Sequence, residues 1–241
     1  MAILEHLTPR RIRRNFDRLR VIQNIRSIKS RDFSIIASNC TGALPYRFLG
    51  MPYTSPTVNL FFFAPCYLRF VRNLDHYLAQ PLMFSPVSRY RQGELTRAVH
   101  GQYPVGLLDD VEIHFMHYSC ETDAEAKWNR RKTRINRDNL IYAFTDKDLC
   151  TPELLEAFDS LEGARKYVLT SQFNPGIQSA IQVPHFEDRA EIGDCYTHFE
   201  HLSHIDFRTL IDIPEIPSQH NQTNVRKLTP DLEADSLTPN R

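Results

Sequence analysis

The sequence predicts an α/β fold in which a mostly parallel sheet carries helices on both faces, in three layers. Three observations predict it. Short runs rich in β-branched and aromatic residues recur at 33–37, 57–63, 111–118, 140–144, 166–169 and 180–183. Longer segments with helical spacing of apolar residues lie between several of them, the pattern of parallel strands joined by right-handed crossovers. The 241 residues, 41 % hydrophobic and 24 % charged, suffice for one such domain with tails, and its core needs no disulfide or metal to fold.

The elements follow in order. Thr8 before Pro9 is an N-cap signal, and Ile12, Phe16, Leu19, Ile22 and Ile25 recur every three or four positions behind it. Residues 1–32 hold nine cations against Glu5, Asp17 and Asp32, a net of +6. Residues 1–31 therefore read as a basic amphipathic helix. Its bland role is to lie on the domain with a solvated face; its functional role is to meet an anionic membrane surface through residues 9–31. One α/β domain over 32–213 begins with the strand 33–37 and a second strand at 57–63. Pro65 opens a helix to about residue 78, and 80–110, with three prolines and three glycines, reads as a long irregular excursion. The strand 111–118, the charged helix 121–135 with the sole tryptophan, and the strand 140–144 come next. Thr151 caps a helix over 152–161, two more strands follow, and 207–211 is a last short helix. The polar, proline-broken residues 214–241 read as a disordered tail.

Charge and cysteines bound the function. The chain is neutral overall, and beyond residue 32 it carries −6 by difference, which argues against a nucleic-acid partner. Cys40, Cys66, Cys120, Cys150 and Cys195 are odd in number, no pair has C-x-x-C spacing, and Met1 to Arg14 lacks an apolar leader. These features predict a cytoplasmic protein with reduced thiols, or one peripheral to the inner face of the cytoplasmic membrane. The most apolar window, 60–68, is too short to span a bilayer.

Ligands of open parallel sheets bind outside the carboxyl ends of the strands. Here those ends read Ser38-Asn39-Cys40, His114-Phe-Met-His117, Thr145-Asp146-Lys147-Asp148, Thr170-Ser171-Gln172 and Pro184-His185. At a strand-to-helix turn, backbone N–H groups would lower the pKa of the Cys40 thiol, a nearby imidazole would take its proton, and neighbouring amides would hold an oxyanion. A buried, inert cysteine is the bland alternative. His117 is nearer the carboxyl edge than His114, which alternation puts on the other face beneath a helix. Arg130 and Arg134 share one helical face, with Lys127 and Arg131 on an adjacent one; they suit phosphate or carboxylate binding, or a solvated surface. Cys195, His198, His201 and His204 repeat every three residues. On an α-helix that spacing drifts around the surface, so no metal is expected.

Several segments carry a resemblance. They are Phe33-Ser-Ile-Ile-Ala-Ser-Asn-Cys-Thr-Gly42, Leu49-Gly-Met-Pro-Tyr-Thr-Ser-Pro56, Asp110-Val-Glu-Ile-His-Phe-Met-His-Tyr118, Lys127-Trp-Asn-Arg-Arg131, Arg134-Ile-Asn136 and Asp138-Asn-Leu140. Over residues 32–213 the chain resembles a bacterial family found among capsule and exopolysaccharide biosynthesis proteins, a domain of unknown function whose members are often labelled acyl- or acetyltransferases. The Ser-Asn-Cys strand end is also similar to the opening of cysteine-dependent polysaccharide acetyltransferases with an SGNH-hydrolase-like fold. Where the family pattern reads Asn-Asn-Cys-Trp-Gly, this chain has Ser38-Asn39-Cys40-Thr41-Gly42, without the aromatic.

The resemblance implies transfer of an acyl group from an acyl-CoA donor to the hydroxyl of a sugar or lipid-linked saccharide. In that expectation Cys40 is the nucleophile or acyl carrier and His117 the base. Asn39 and the backbone around Gly42 supply oxyanion donors. Arg130, Arg131 and Arg134 hold the anionic donor or a phosphorylated acceptor, and Ser38, Asn136, Asp146 and Asp148 complete the binding set. Two alternatives belong to other classes: a non-catalytic accessory protein of polysaccharide assembly, and a glycosyltransferase using Asp146-Lys-Asp148.

Overall fold

The computed structural model describes residues 9–212, with the side chains of 9 and 10 excepted. The Thr8 cap and the tail over 214–241 lie outside the described residues. Four parallel strands, β1 (Ser34–Ala37), β5 (Leu140–Thr145), β6 (Arg165–Thr170) and β7 (Ala180–Gln182), lie side by side in the order β1-β5-β6-β7. Side chains alternate across this sheet. Ile36, Tyr142, Phe144 and Val168 enter a core on one face, under α3 (Ala64–Arg72), α4 (Leu74–Ala79), α6 (Glu121–Lys132) and α7 (Pro152–Asp159). Ile35, Ala37, Ile141, Ala143, Tyr167 and Leu169 enter a second core on the other face, with α1 (Pro9–Arg26), α2 (Leu44–Leu49) and α8 (Phe207–Ile211). A sheet buried on both faces needs continuous apolar strands, and Leu-Ile-Tyr-Ala-Phe of β5 is such a run. The three-layer α/β expectation is the fold observed.

The helix α1 belongs to this body. Val21, Ile25 and the following Ile28 are buried at 1 %, 0 % and 1 % exposure in the second core. Residue 31 is therefore no boundary in the packing. Arg18 also bonds the Glu200 carboxylate at 2.9 Å and the Thr197 carbonyl at 2.9 Å.

Between β1 and β5 the chain departs from the predicted order. The segment 80–110 is structured: β2 (Met83–Ser85), α5 (Arg91–His100) and β3 (Val105–Leu108) lead into β4 (Val111–His114). The strands β2, β3 and β4 form a separate antiparallel sheet. Hence the predicted strand 111–118 stops at His114 and is not in the parallel sheet. Its apolar alternation is that of a meander strand, which periodicity alone does not distinguish from a parallel one. The predicted strand 57–63 is also no sheet member. Asn59 takes a left-handed backbone (φ 64°) that interrupts an extended run, leaving a single antiparallel bridge from Phe61 to His114. The predicted helix over 65–78 is broken at Asn73 into α3 and α4.

Candidate functional site

The carboxyl end of β1 turns at once. Asn39 caps a 3-10 turn over Cys40–Ala43, its Oδ1 accepting from the Thr41 N–H (3.1 Å) and hydroxyl (2.7 Å), while its Nδ2 donates to Thr145 Oγ1 (3.0 Å) at the end of β5. Gly42 is required for this turn: a Cβ there would sit 2.4 Å from Ala37 Cβ. Ser38 is buried, and its Oγ has no hydrogen-bond partner among the described residues. The half-buried Cys40 thiol contacts the Leu60 carbonyl at 3.9 Å. Burial, with the Asp194 charge behind it, pushes this thiol up to about 11. The expected low-pKa thiolate is thus reversed. The turn is one short 3-10 coil instead of an α-helix, and carboxylates outnumber cations around the sulfur. Asn39, engaged by Thr145 and Thr41, acts as the cap of this turn.

Beside it, the end of β5 supplies two acids with different roles. Asp146 accepts from the Ser171 N–H (2.6 Å) and from the Ile192 N–H (2.8 Å), tying β6 and the 191–195 loop to the strand edge. Its carboxylate thus serves as a tie at the strand edge. Asp148 is left-handed (φ 59°), as is Leu149 after it (φ 67°). Its carbonyl accepts from the Ala64 N–H at 2.8 Å, and its half-buried carboxyl makes no described hydrogen bond. Burial, countered by Lys147 and assisted by Glu191, pushes that carboxyl up to about 6. The same loop raises Cys150 to about 12, chiefly by burial. Sequence reasoning named Asp148 and its neighbour Lys147 but missed Glu191 and Asp194, whose charges converge here only through the fold.

Other expected members lie elsewhere. His117 is exposed in the turn after β4; its backbone N–H reaches the Asn59 carbonyl at 3.4 Å, and no described bond joins it to Cys40. Arg131 is buried, donating to Tyr118 Oη (2.7 Å) and the Val58 carbonyl (3.3 Å) and stacking on Tyr53, whereas Arg130 and Arg134 are exposed. The three arginines do not share one surface. Asn136 sits before β5, at the amino edge, where its Oδ1 accepts from the Asp138 and Asn139 N–H groups. Its role is a turn.

Two further clusters are built by the fold. Glu112 Oε1 meets His114 Nε2 at 2.8 Å, and His114 Nδ1 meets Tyr103 Oη at 3.2 Å, a chain buried throughout. His198, Glu200 and His201 bring ligand-type atoms within 4.8 Å of one another. The segment is a 3-10 turn (Phe199–Leu202), not the α-helix assumed for the spacing argument, with His198 at its N-cap and His201 within it. Glu200, however, is the buried partner of Arg18, and His201 stacks on His185 with 3.5 Å between ring centroids. This cluster clasps α1 to the domain.

A three-layer α/β domain with a polar, acid-rich site at the carboxyl edge of its parallel sheet is the class these observations define. The chain belongs to the family described as Domain of unknown function (DUF1919), which residues 11–214 match. It is similar to an uncharacterized protein of Haemophilus influenzae, 36 % identical over 171 residues, covering 71 % of this chain and 77 % of that one. Among the described residues, no helix is long and apolar enough to cross a membrane.

Proposed function

We propose that the chain transfers an acyl group from a coenzyme A thioester to a sugar hydroxyl, as in capsule or exopolysaccharide assembly, with Asp148 as general base. The observation that carries this reading is the Asp148 carboxyl: half-buried, free of described hydrogen bonds, and pushed up to about 6 at the strand edge. A base poised near neutral pH is what activation of a hydroxyl requires. As the acceptor oxygen bonds to the thioester carbonyl carbon, its proton passes to Asp148. The carbon–sulfur bond then breaks, and the leaving thiolate takes that proton to depart as free coenzyme A. Cys40, a neutral thiol at about 11, lines the site in this reading and carries no acyl group. His117, exposed and unconnected to Cys40, has no part.

The test is an acyl-transfer assay with purified protein and saccharide acceptors. Asp148→Asn should lower kcat by about 10²-fold or more, while Cys40→Ser should keep most activity. In the wild type, kcat/KM should rise with pH through about 6 and then level off. Transfer that survives Asp148→Asn but dies with Cys40→Ser would overturn the assignment and restore the covalent route.

A second reading, an accessory protein held at an anionic membrane surface, is favoured by α1. Its outward face exposes Ile12, Phe16 and Leu19 at 39 %, 67 % and 52 %, beside the exposed Arg13 and Arg20. Apolar side chains ringed by arginine suit the boundary between headgroups and acyl chains.

A further inference from the structure

We infer that His198, Glu200 and His201 form a binding site for a divalent transition metal, with zinc the best match. Their ligand-type atoms lie within 4.8 Å of one another. His198 Nδ1 stands 3.5 Å from Glu200 Oε1, a long contact for a hydrogen bond. That separation is close to the edge of a zinc tetrahedron, whose ligands, about 2.0–2.2 Å from the ion, stand roughly 3.3–3.5 Å apart. The expectation of no metal rested on an α-helix. The observed 3-10 turn instead brings positions three apart to one side.

The neighbours of Glu200 and His201 hold these ligands and leave a metal-binding atom over. Glu200 is buried and Arg18 takes its Oε2 at 2.9 Å, so the clasp and the ion use different oxygens. Outer partners of this kind orient metal ligands. The His201 ring lies flat on His185, with 3.5 Å between centroids and 8° between planes. Neither of its nitrogens makes a hydrogen bond among the described residues. His198 is exposed, so its ring can turn to close the remaining gap, and an ion reaches it from solvent. Arg14 competes for Oε1 from 4.0 Å, but its exposed side chain is free to retreat into water. Two imidazoles and a carboxylate suit zinc over magnesium or calcium, which take oxygen ligands. Three protein ligands leave a fourth position for water. The ion braces the 3-10 turn where it meets α1, whether or not the chain is a transferase.

Titration of chelator-treated protein with zinc, read by calorimetry and thermal melts, tests the site without turnover. A single equivalent should bind and raise the melting temperature. His198→Gln, at an exposed position, should weaken binding at least about tenfold while leaving the metal-free protein folded, and His201→Gln should weaken it likewise. Cobalt substitution separates this site from the free cysteines. Imidazole and carboxylate ligands should give the bands of tetrahedral cobalt without sulfur-to-metal charge transfer. Absence of zinc binding, zinc held equally by wild type and both histidine variants, or a thiolate signature would overturn the assignment. Asp148→Asn should bind zinc like wild type, so the site and the proposed base fail separately.

Discussion

Asp148 combines a carboxyl that makes no hydrogen bond among the described residues with a left-handed backbone, and the carboxyl has a thermodynamic sign. Raised to about 6 from 3.8, the folded carboxyl holds a proton that the unfolded chain releases between those values. Stability therefore falls as pH rises from about 4 to about 6 and stays low above. The penalty at neutral pH is at most about 3 kcal/mol. Asp148→Asn removes it while keeping a residue that tolerates positive φ. The variant should melt several degrees above wild type at pH 7.5 and with it at pH 4, as thermal melts at the two pH values would read. A substitution that stabilises the fold and lowers activity marks a residue retained for function.

At the scale of elements, α1 has two faces with separate consequences. Its inner face fills the second core, so Ile25→Ala should cost about 2–4 kcal/mol in urea denaturation. Its outer face holds Phe16 at 67 % exposure, so Phe16→Glu should leave stability unchanged yet reduce co-sedimentation with anionic vesicles. Equal sedimentation of the two proteins would sink the membrane reading. Elements with strong local signals were legible in the sequence: β5 as an apolar run, α7 through its Thr151 cap, α1 through its 3.6-residue period. The meander was not. In α5 the buried positions are Gly93 and Arg97 while Leu95 and Val99 face water, which inverts the pattern by which helices are recognised. The strand edge was legible in its composition, from Cys40 to Asp148. Its electrostatics were not, because the carboxylates that raise Cys40 come from residues more than a hundred positions away.

For the whole molecule, the two ends of the described chain close on each other. Arg18 meets Glu200, the Lys29 and Ser30 N–H groups meet the Asp212 carboxylate, and the Phe207 N–H meets Asn24. Burial, then the neighbouring His185, lowers the His201 pKa. Folded His201 thus binds fewer protons than unfolded His201, and its contribution is lost as pH falls below about 6.5. Burial works to raise Glu200, but its own backbone N–H and Arg18 prevail and hold it low, so acid weakens this clasp as well. In the Asp148→Asn background, where the opposing titration of Asp148 is absent, urea midpoints should drop between pH 7.5 and 5.5, and adding His201→Gln should shrink that drop. At the opposite end, residues 58–62 join the two sheets. Phe61 exchanges both backbone hydrogen bonds with His114 of the meander, and the Phe62 N–H bonds the Ser38 carbonyl at the end of β1. Between Asn59, bonded to the His117 N–H, and Phe61 lies Leu60, whose carbonyl the Cys40 thiol touches. The meander and the strand edge are accordingly geared together by one short strap. The Cys40 sulfur is thereby linked through Leu60 and Phe61 to His114 of β4, one short stretch of backbone from the meander.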